Sequence, residues 1–132
     1  MAAVRGRDNR AEKVLRRTLW GMGYRYRLQN PQLQGRPDIT LPRYRVVIFV
    51  DGDFWHGRSI IDDGVDAFRK TLRTERREWW VTKIGATITR DRKVTLGLIA
   101  AGWQVIRMWE SDVLRDPMGV AHSVAASLKR KL

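Results

Sequence analysis

Five consecutive apolar residues, Val46-Val47-Ile48-Phe49-Val50, stop abruptly at Asp51-Gly52-Asp53-Phe54-Trp55-His56. The run reads as a buried strand whose tip is too polar to be simply core. Shortly before it, Gly35-Arg36-Pro37 opens onto Asp38-Ile39-Thr40-Leu41, a shorter strand closed by Pro42. Each strand delivers a carboxylate to an edge, Asp38 early in the first and Asp51 directly after the second, with His56 just beyond. That is the layout of a metal-dependent phosphodiesterase site, although a hairpin with a solvated acidic loop accounts for the same residues.

The size and charge of the chain narrow the choice. At 132 residues one domain, 1–132, is expected. Lysine and arginine number 26 against 14 acidic residues, a formal net charge of +12, which favours a polyanionic partner. Charge alone does not separate DNA, RNA and an acidic membrane surface. With no cysteine, disulfides and thiolate zinc sites are excluded, so any metal must use oxygen or histidine. No apolar run approaches the ~20 residues that span a bilayer, and Met1 to Arg7 has no signal-peptide apolar region. A soluble, intracellular protein with no membrane partner is expected.

The remaining elements follow from periodicity. Residues 1–10, with Arg5, Arg7 and Arg10, form a basic arm suited to a phosphate backbone or equally to solvent. Ala11, Val14, Leu15, Leu19 and Met22 make one face of an amphipathic helix, with Asn9 and Glu12 spaced as a capping box and Gly23 as its stop. Tyr24 to Leu28 alternates as a strand. Residues 57–75 read as a loop before a weak helical segment around Ala67 to Leu72. A long helix is predicted over 76–101, stopped by Gly102, then a strand from Trp103 to Trp109. Asp116-Pro117 signals a last helix carrying Val120, Val124 and Leu128, with Lys129, Arg130 and Lys131 suited to its C-terminal dipole. The sum is an α/β fold, a mixed central sheet flanked by helices.

Asp91 falls on the apolar face of the long helix with Trp80, Ile84, Ile88, Thr95 and Leu98. A carboxylate there must be paired or face a cleft. An ion pair with Arg90, Arg92 or a more distant arginine would satisfy it, and so would a site. Asp38 and Asp51 are hard oxygen donors that suit Mg²⁺, and His56 is suited to proton transfer near neutral pH.

The particular words are more specific than this triad. Arg36-Pro37-Asp38, Val47-Ile48-Phe49 leading into Gly52 and Phe54-Trp55-His56, Trp80 with Lys83-Ile84, Arg90-Asp91-Arg92, and Ala101-Gly102-Trp103 leading to Trp109-Glu110 resemble the very short patch repair (Vsr) endonucleases. The resemblance covers roughly residues 5 to 115. It implies a restriction-endonuclease-like fold of the PD-(D/E)XK type and Mg²⁺-dependent nicking of one strand of double-stranded DNA beside a T:G mismatch. It further implies a monomeric, cytoplasmic bacterial protein working at the nucleoid. By resemblance, Asp38 and the backbone carbonyl of Val50 hold the metal, and His56 is the general acid or base. Glu12 lies near the metal's water network, and Asp91 orients His56 or a water. Phe54, Trp55 and Trp80 match aromatic residues that wedge between base pairs, and Arg5, Arg7, Arg10 and Arg36 match DNA-contacting positions. Trp79, by contrast, reads as a packed core aromatic.

Two departures stand out. The family's structural zinc site is replaced by Asp53, Arg58, Ile60 and Ser111, which cannot make a tetrahedral zinc site, so structural zinc is expected to be absent. An Asp53–Arg58 ion pair is expected to pin the same loop. Asp51 stands where the best-known members carry a histidine, and a direct or water-mediated metal contact is expected of it. These departures keep open a same-fold nuclease of a restriction, defence or mobile-element system without mismatch preference. A non-catalytic DNA-binding module is a further alternative, since basic charge and aromatic wedges alone would suffice to bind, but the intact Asp38, Asp51 and His56 argue against it.

Overall fold

The structure, a computed structural model, describes residues 10–128. The first helix, α1 (Arg10–Gly21), buries Ala11, Leu15 and Leu19 completely, as its apolar periodicity requires. The chain then enters a four-stranded sheet built from β1 (Arg27–Leu28), β2 (Ile39–Leu41), β3 (Val46–Asp51) and β4 (Gln104–Trp109), arranged in that order. β1 pairs antiparallel with β2 and β2 antiparallel with β3, whereas β3 pairs parallel with β4. A parallel neighbour needs a long crossover, and three helices supply it: α2 (Arg58–Asp63), α3 (Val65–Thr71) and α4 (Arg77–Ala100). After β4 come α5 (Glu110–Arg115) and α6 (Pro117–Ser127).

Alternation along β3 divides the core in two. Val46, Ile48 and Val50 join Ile39, Leu41, Val113, Ala121 and Val124 beneath α1, α5 and α6. Val47 and Phe49 face Leu98 and the partly buried Val94 of α4 on the other side. The mixed sheet covered on both faces is the restriction-endonuclease-like α/β arrangement expected. With all six β3 residues buried, the strand is fixed in register, so its C-terminal Asp51 is carried to a defined place. Phe68 of α3 packs separately on Ile84 and Ile88 of α4, with Ile60 of α2 alongside.

Several expectations need correction. Only Arg27 and Leu28 of the alternating 24–28 segment pair in the sheet, because β2 is itself three residues long. Residues 58–63, expected as loop, form α2; the glycines on both sides, Gly57 and Gly64, obscure a six-residue helix between two turns. Trp79 is not core: it is 45% exposed, with the Arg76 guanidinium 4.4 Å above its ring. Asp116 caps α6 as predicted, its side chain accepting from the Gly119 N–H at 3.0 Å. Asn9 of the capping box, Arg5, Arg7, Lys129, Arg130 and Lys131 lie outside the described residues. Among the described residues no helix is long and apolar enough to cross a membrane.

Candidate active site

The sheet delivers its acids to the C-terminal end of β3. Asp38, immediately before β2, accepts the Val50 N–H on Oδ2 at 2.8 Å and the Gln29 carboxamide on Oδ1 at 3.1 Å. The same Gln29 nitrogen reaches Oε1 of Glu12 at 3.1 Å, so one amide ties an acid of α1 to an acid of the sheet. Glu12 is completely buried and also accepts Arg16 at 2.9 Å, one helical turn on. Gln29 holds a left-handed backbone, φ +49°, and its N–H donates to the Asp38 carbonyl at 3.1 Å. Nothing in the local pattern marks Gln29, whose partners lie nine and seventeen residues away.

Across β3, a second group gathers. His56 donates from Nδ1 to Oδ2 of Asp91 at 2.7 Å, and the same nitrogen lies 3.7 Å from Oδ1 of Asp51. Gly57 makes the approach possible: its φ is +78°, and a Cβ there would sit 2.6 Å from Ile88 of α4. Any larger residue would push the loop off the helix that carries Asp91. Asp91 therefore meets a histidine rather than the neighbouring arginines. Asp51, 7% exposed, is straddled by Nη1 of Arg107 at 3.0 and 3.2 Å, a partner absent from the sequence expectation. Arg107 alternates inward on β4, where a strand pattern alone reads it as a solvated residue.

The electrostatics follow from this crowding. Burial raises the Asp38 pKa against the Val50 and Gln29 hydrogen bonds, and the charge of Asp51 adds to the rise. Burial likewise raises Asp51, opposed by His56 and Arg107. For His56 burial pulls downward, but the Asp91 hydrogen bond and the charges of Asp51 and Asp91 outweigh it, and the imidazole titrates above its ordinary value. Asp51, His56 and Asp91 each bring a donor atom within 4.8 Å of the others, a set able to hold a metal ion. The donors are mostly hard carboxylate oxygens, which suit a divalent cation, and such an ion would favour the ionised Asp38 that burial, and to a lesser degree the Asp51 charge, disfavours. A cavity of about 460 Å³, lined in part by Asp51, His56, Asp91, Thr95 and Arg107, opens beside them.

Aromatic residues stand beside the acids. Phe54 and Trp55 are 42% and 53% exposed and stack edge-on at 5.4 Å. Each contacts Trp80, at 5.4 and 5.5 Å between ring centres, and Trp79 extends the group from Trp80 at 4.8 Å. Large apolar rings left open to solvent beside a polar centre suit stacking on bases. Arg10 and Arg36 are both exposed.

The loop bearing these rings is pinned from below. Arg58 donates to Asp53 at 3.0 Å, Asp62 at 3.2 Å, Ser111 at 3.0 Å and Asp112 at 3.2 Å, while Ser111 donates its hydroxyl to Asp53 at 2.5 Å. Burial opposes ionisation of Asp53, but the Ser111 hydroxyl and N–H, with Arg58, hold its carboxyl below the ordinary value. The expected Asp53–Arg58 pair is present and larger than anticipated. A guanidinium at the centre of the cluster does not fit a zinc ion, and Ile60 packs instead with Phe68, Ile84 and Ile88.

The chain is similar to known proteins. The family model described as DNA mismatch endonuclease Vsr matches residues 1–61. The chain is 39% identical over 110 residues to the DNA mismatch endonuclease Vsr of Escherichia coli (strain K12), covering 83% of this chain and 66% of the relative. It is 34% identical over 131 residues to the Type II nicking enzyme V.NmeDIP of Neisseria meningitidis serogroup C, covering 99% of this chain and 84% of that one. With the Type II nicking enzyme V.HpaIIP of Haemophilus parainfluenzae it shares 35% over 116 residues, covering 88% and 78%.

Proposed function

The chain belongs to the Vsr family of DNA endonucleases, and from that premise we propose that it nicks one strand of duplex DNA next to a T:G mismatch in a Mg²⁺-dependent reaction. The observation that carries the reading is the 2.7 Å hydrogen bond that sets His56 against Asp91, a few ångströms from buried Asp51 and beside the exposed Phe54 and Trp55, which rest on the partly buried Trp80.

Asp38 and the Val50 carbonyl would hold the metal, with Asp51 in contact through water; when bound, Mg²⁺ supplies a Lewis acid for the phosphoryl oxygen and for the leaving group. Because Nδ1 of His56 donates to Asp91, the neutral ring presents Nε2 as the acceptor, the form needed to take a proton from an attacking water. Asp91 fixes the tautomer and stabilises the imidazolium once the proton has arrived. Glu12 and Gln29 hold Asp38 from the α1 side. Phe54, Trp55 and Trp80 wedge into the base stack, where a mismatched step costs least to open. The exposed Arg10 and Arg36, with Arg5 and Arg7 of the arm, contact phosphates. The protein works as a monomer in this reading.

Nicking without mismatch preference is the second reading. The names of V.NmeDIP and V.HpaIIP, Type II nicking enzymes, favour it. Duplexes carrying T:G or T:A at one position, and single strands, incubated with Mg²⁺ or EDTA, separate the possibilities. Nicking confined to T:G with Mg²⁺, and lost in Asp38→Ala, is the expected result. Equal cutting of T:A supports the second reading. Binding without cutting leaves only a DNA-binding module.

A further inference from the structure

Two acids of this centre are held in contrasting ways. Among the described residues the hydrogen bonds to the Asp38 carboxylate come from neutral groups, the Val50 N–H and the Gln29 carboxamide, and no guanidinium or ammonium touches it. Asp51 is bound on both oxygens by a cation, Nη1 of Arg107, at 3.0 and 3.2 Å. That cation has little freedom. Its Nε donates to Thr95 Oγ1 at 2.8 Å, Nη2 to the Asp91 carbonyl at 3.3 Å, and the guanidinium lies 4.1 Å over the Phe49 ring. All three nitrogens are engaged, by β3 on one side and by α4 on the other. β4 sets this up by register: Arg107 lies opposite Phe49 in the parallel pair, two residues before the strand end that carries Asp51.

We propose that Arg107 is a positioning residue that serves as a built-in cation. By neutralising Asp51 it commits the divalent ion to Asp38 and leaves Asp51 to meet that ion only across water. A carboxylate already paired with a guanidinium attracts a metal less than one held by amides, because the fixed positive charge repels the incoming ion at short range. The Asp51–Arg107 pair thus contributes hydrogen-bond acceptors without adding net negative charge, and it anchors the Asp91 backbone that carries the partner of His56. The inference rests on the reading of Asp38 as the metal-binding acid.

The two ideas can be tested separately by titrating Mn²⁺ into the DNA-free protein, following free Mn²⁺ by electron paramagnetic resonance, beside single-turnover nicking with Mg²⁺. Arg107→Ala frees Asp51 and should bind Mn²⁺ roughly tenfold more tightly, while nicking at saturating Mg²⁺ slows at least about tenfold as Asp91 loses its anchor. A residue with a merely structural role would weaken metal binding and turnover together. Arg107→Lys should keep an affinity near wild type. Asp51→Asn leaves the cation in place without its partner and should bind the ion roughly tenfold more weakly. The double variant Asp51→Asn/Arg107→Leu restores the net charge and should return close to the wild-type affinity, so the argument survives if Arg107→Ala does not fold. Unchanged or weaker Mn²⁺ binding in folded Arg107→Ala, or unchanged binding in Asp51→Asn, overturns the proposal. If Asp38→Asn retains wild-type affinity, the assignment of the metal to Asp38 fails instead, whatever Arg107 does.

Discussion

Arg58 and Arg107 each gather acceptors from separate elements, but Arg107 does so in the wall of the acidic centre and Arg58 beneath an open loop. Arg107 is paired with Asp51, whose side chain is 9% exposed; Arg58 holds Asp53, Asp62 and Asp112, at 34%, 50% and 26%. The difference teaches where a guanidinium acts on chemistry and where on shape. In the centre, Asp51 is largely withdrawn from water, so solvent compensates less for a lost cation, and in the proposed reading the pair bears on which acid takes the metal. Beneath the loop, solvent screens each contact, and the value of the cluster lies in tying β3, α2 and α5 together.

The comparison is broken most directly by removing each arginine. Arg107→Ala leaves Asp51 buried beside Asp91 without its cation, and a loss of roughly 3 kcal/mol in unfolding free energy is expected. Asp51→Asn/Arg107→Leu should recover most of that loss, because no unpaired charge remains. Urea unfolding of the three proteins measures both, and an Arg107→Ala variant as stable as wild type would show that solvent reaches Asp51 after all.

The contrast also marks how far the sequence could be read. The apolar face of α1, the unbroken apolar run of β3, the length of α4 between Arg76 and Gly102 and the alternation of β4 each mark their element to within a few residues. The placing of Asp38, His56 and Asp91 at one end of the sheet was legible because they lie inside recognisable words. Arg107 was not, because a strand pattern says which side a residue faces but not what the covering helix offers there. Here α4 offers Asp91 and Thr95 instead of apolar side chains. Gln29 was missed for a related reason: its value comes from two partners on different elements, brought together only by a left-handed turn. Trp79 was misassigned because a tryptophan pair on a helix carries no sign of which ring is covered. In the structure Trp80 takes the place against Phe54 and Trp55, and Trp79 is left outside.

Arg58→Ala sharpens the comparison with a smaller effect of a different kind. Its melting temperature should fall less than that of Arg107→Ala, and the gap to wild type should shrink as salt is raised past a few hundred millimolar. Nicking should suffer more than stability does, since the loop from Asp53 to Gly57 carries Phe54, Trp55 and His56. Wild-type stability at low salt would show that the loop is held by its packing on α4 alone.

The smallest effect tests the acid side of the same cluster. Asp53 has a folded pKa below its ordinary value, so its ionised form is favoured in the native state. The sign is fixed by linkage: the stability it contributes is complete above the unfolded carboxylate value, near about pH 4, and is lost as pH falls through the lower folded value. Asp53→Asn keeps the shape and cannot ionise. Its stability deficit against wild type should therefore be constant from pH 7 to about pH 5 and close progressively below about pH 4. A deficit that persists unchanged to pH 3 would mean that Asp53 acts through its hydrogen bonds with Ser111 rather than through charge, and the loop would then be held by a neutral contact of the kind that Gln29 makes with Asp38.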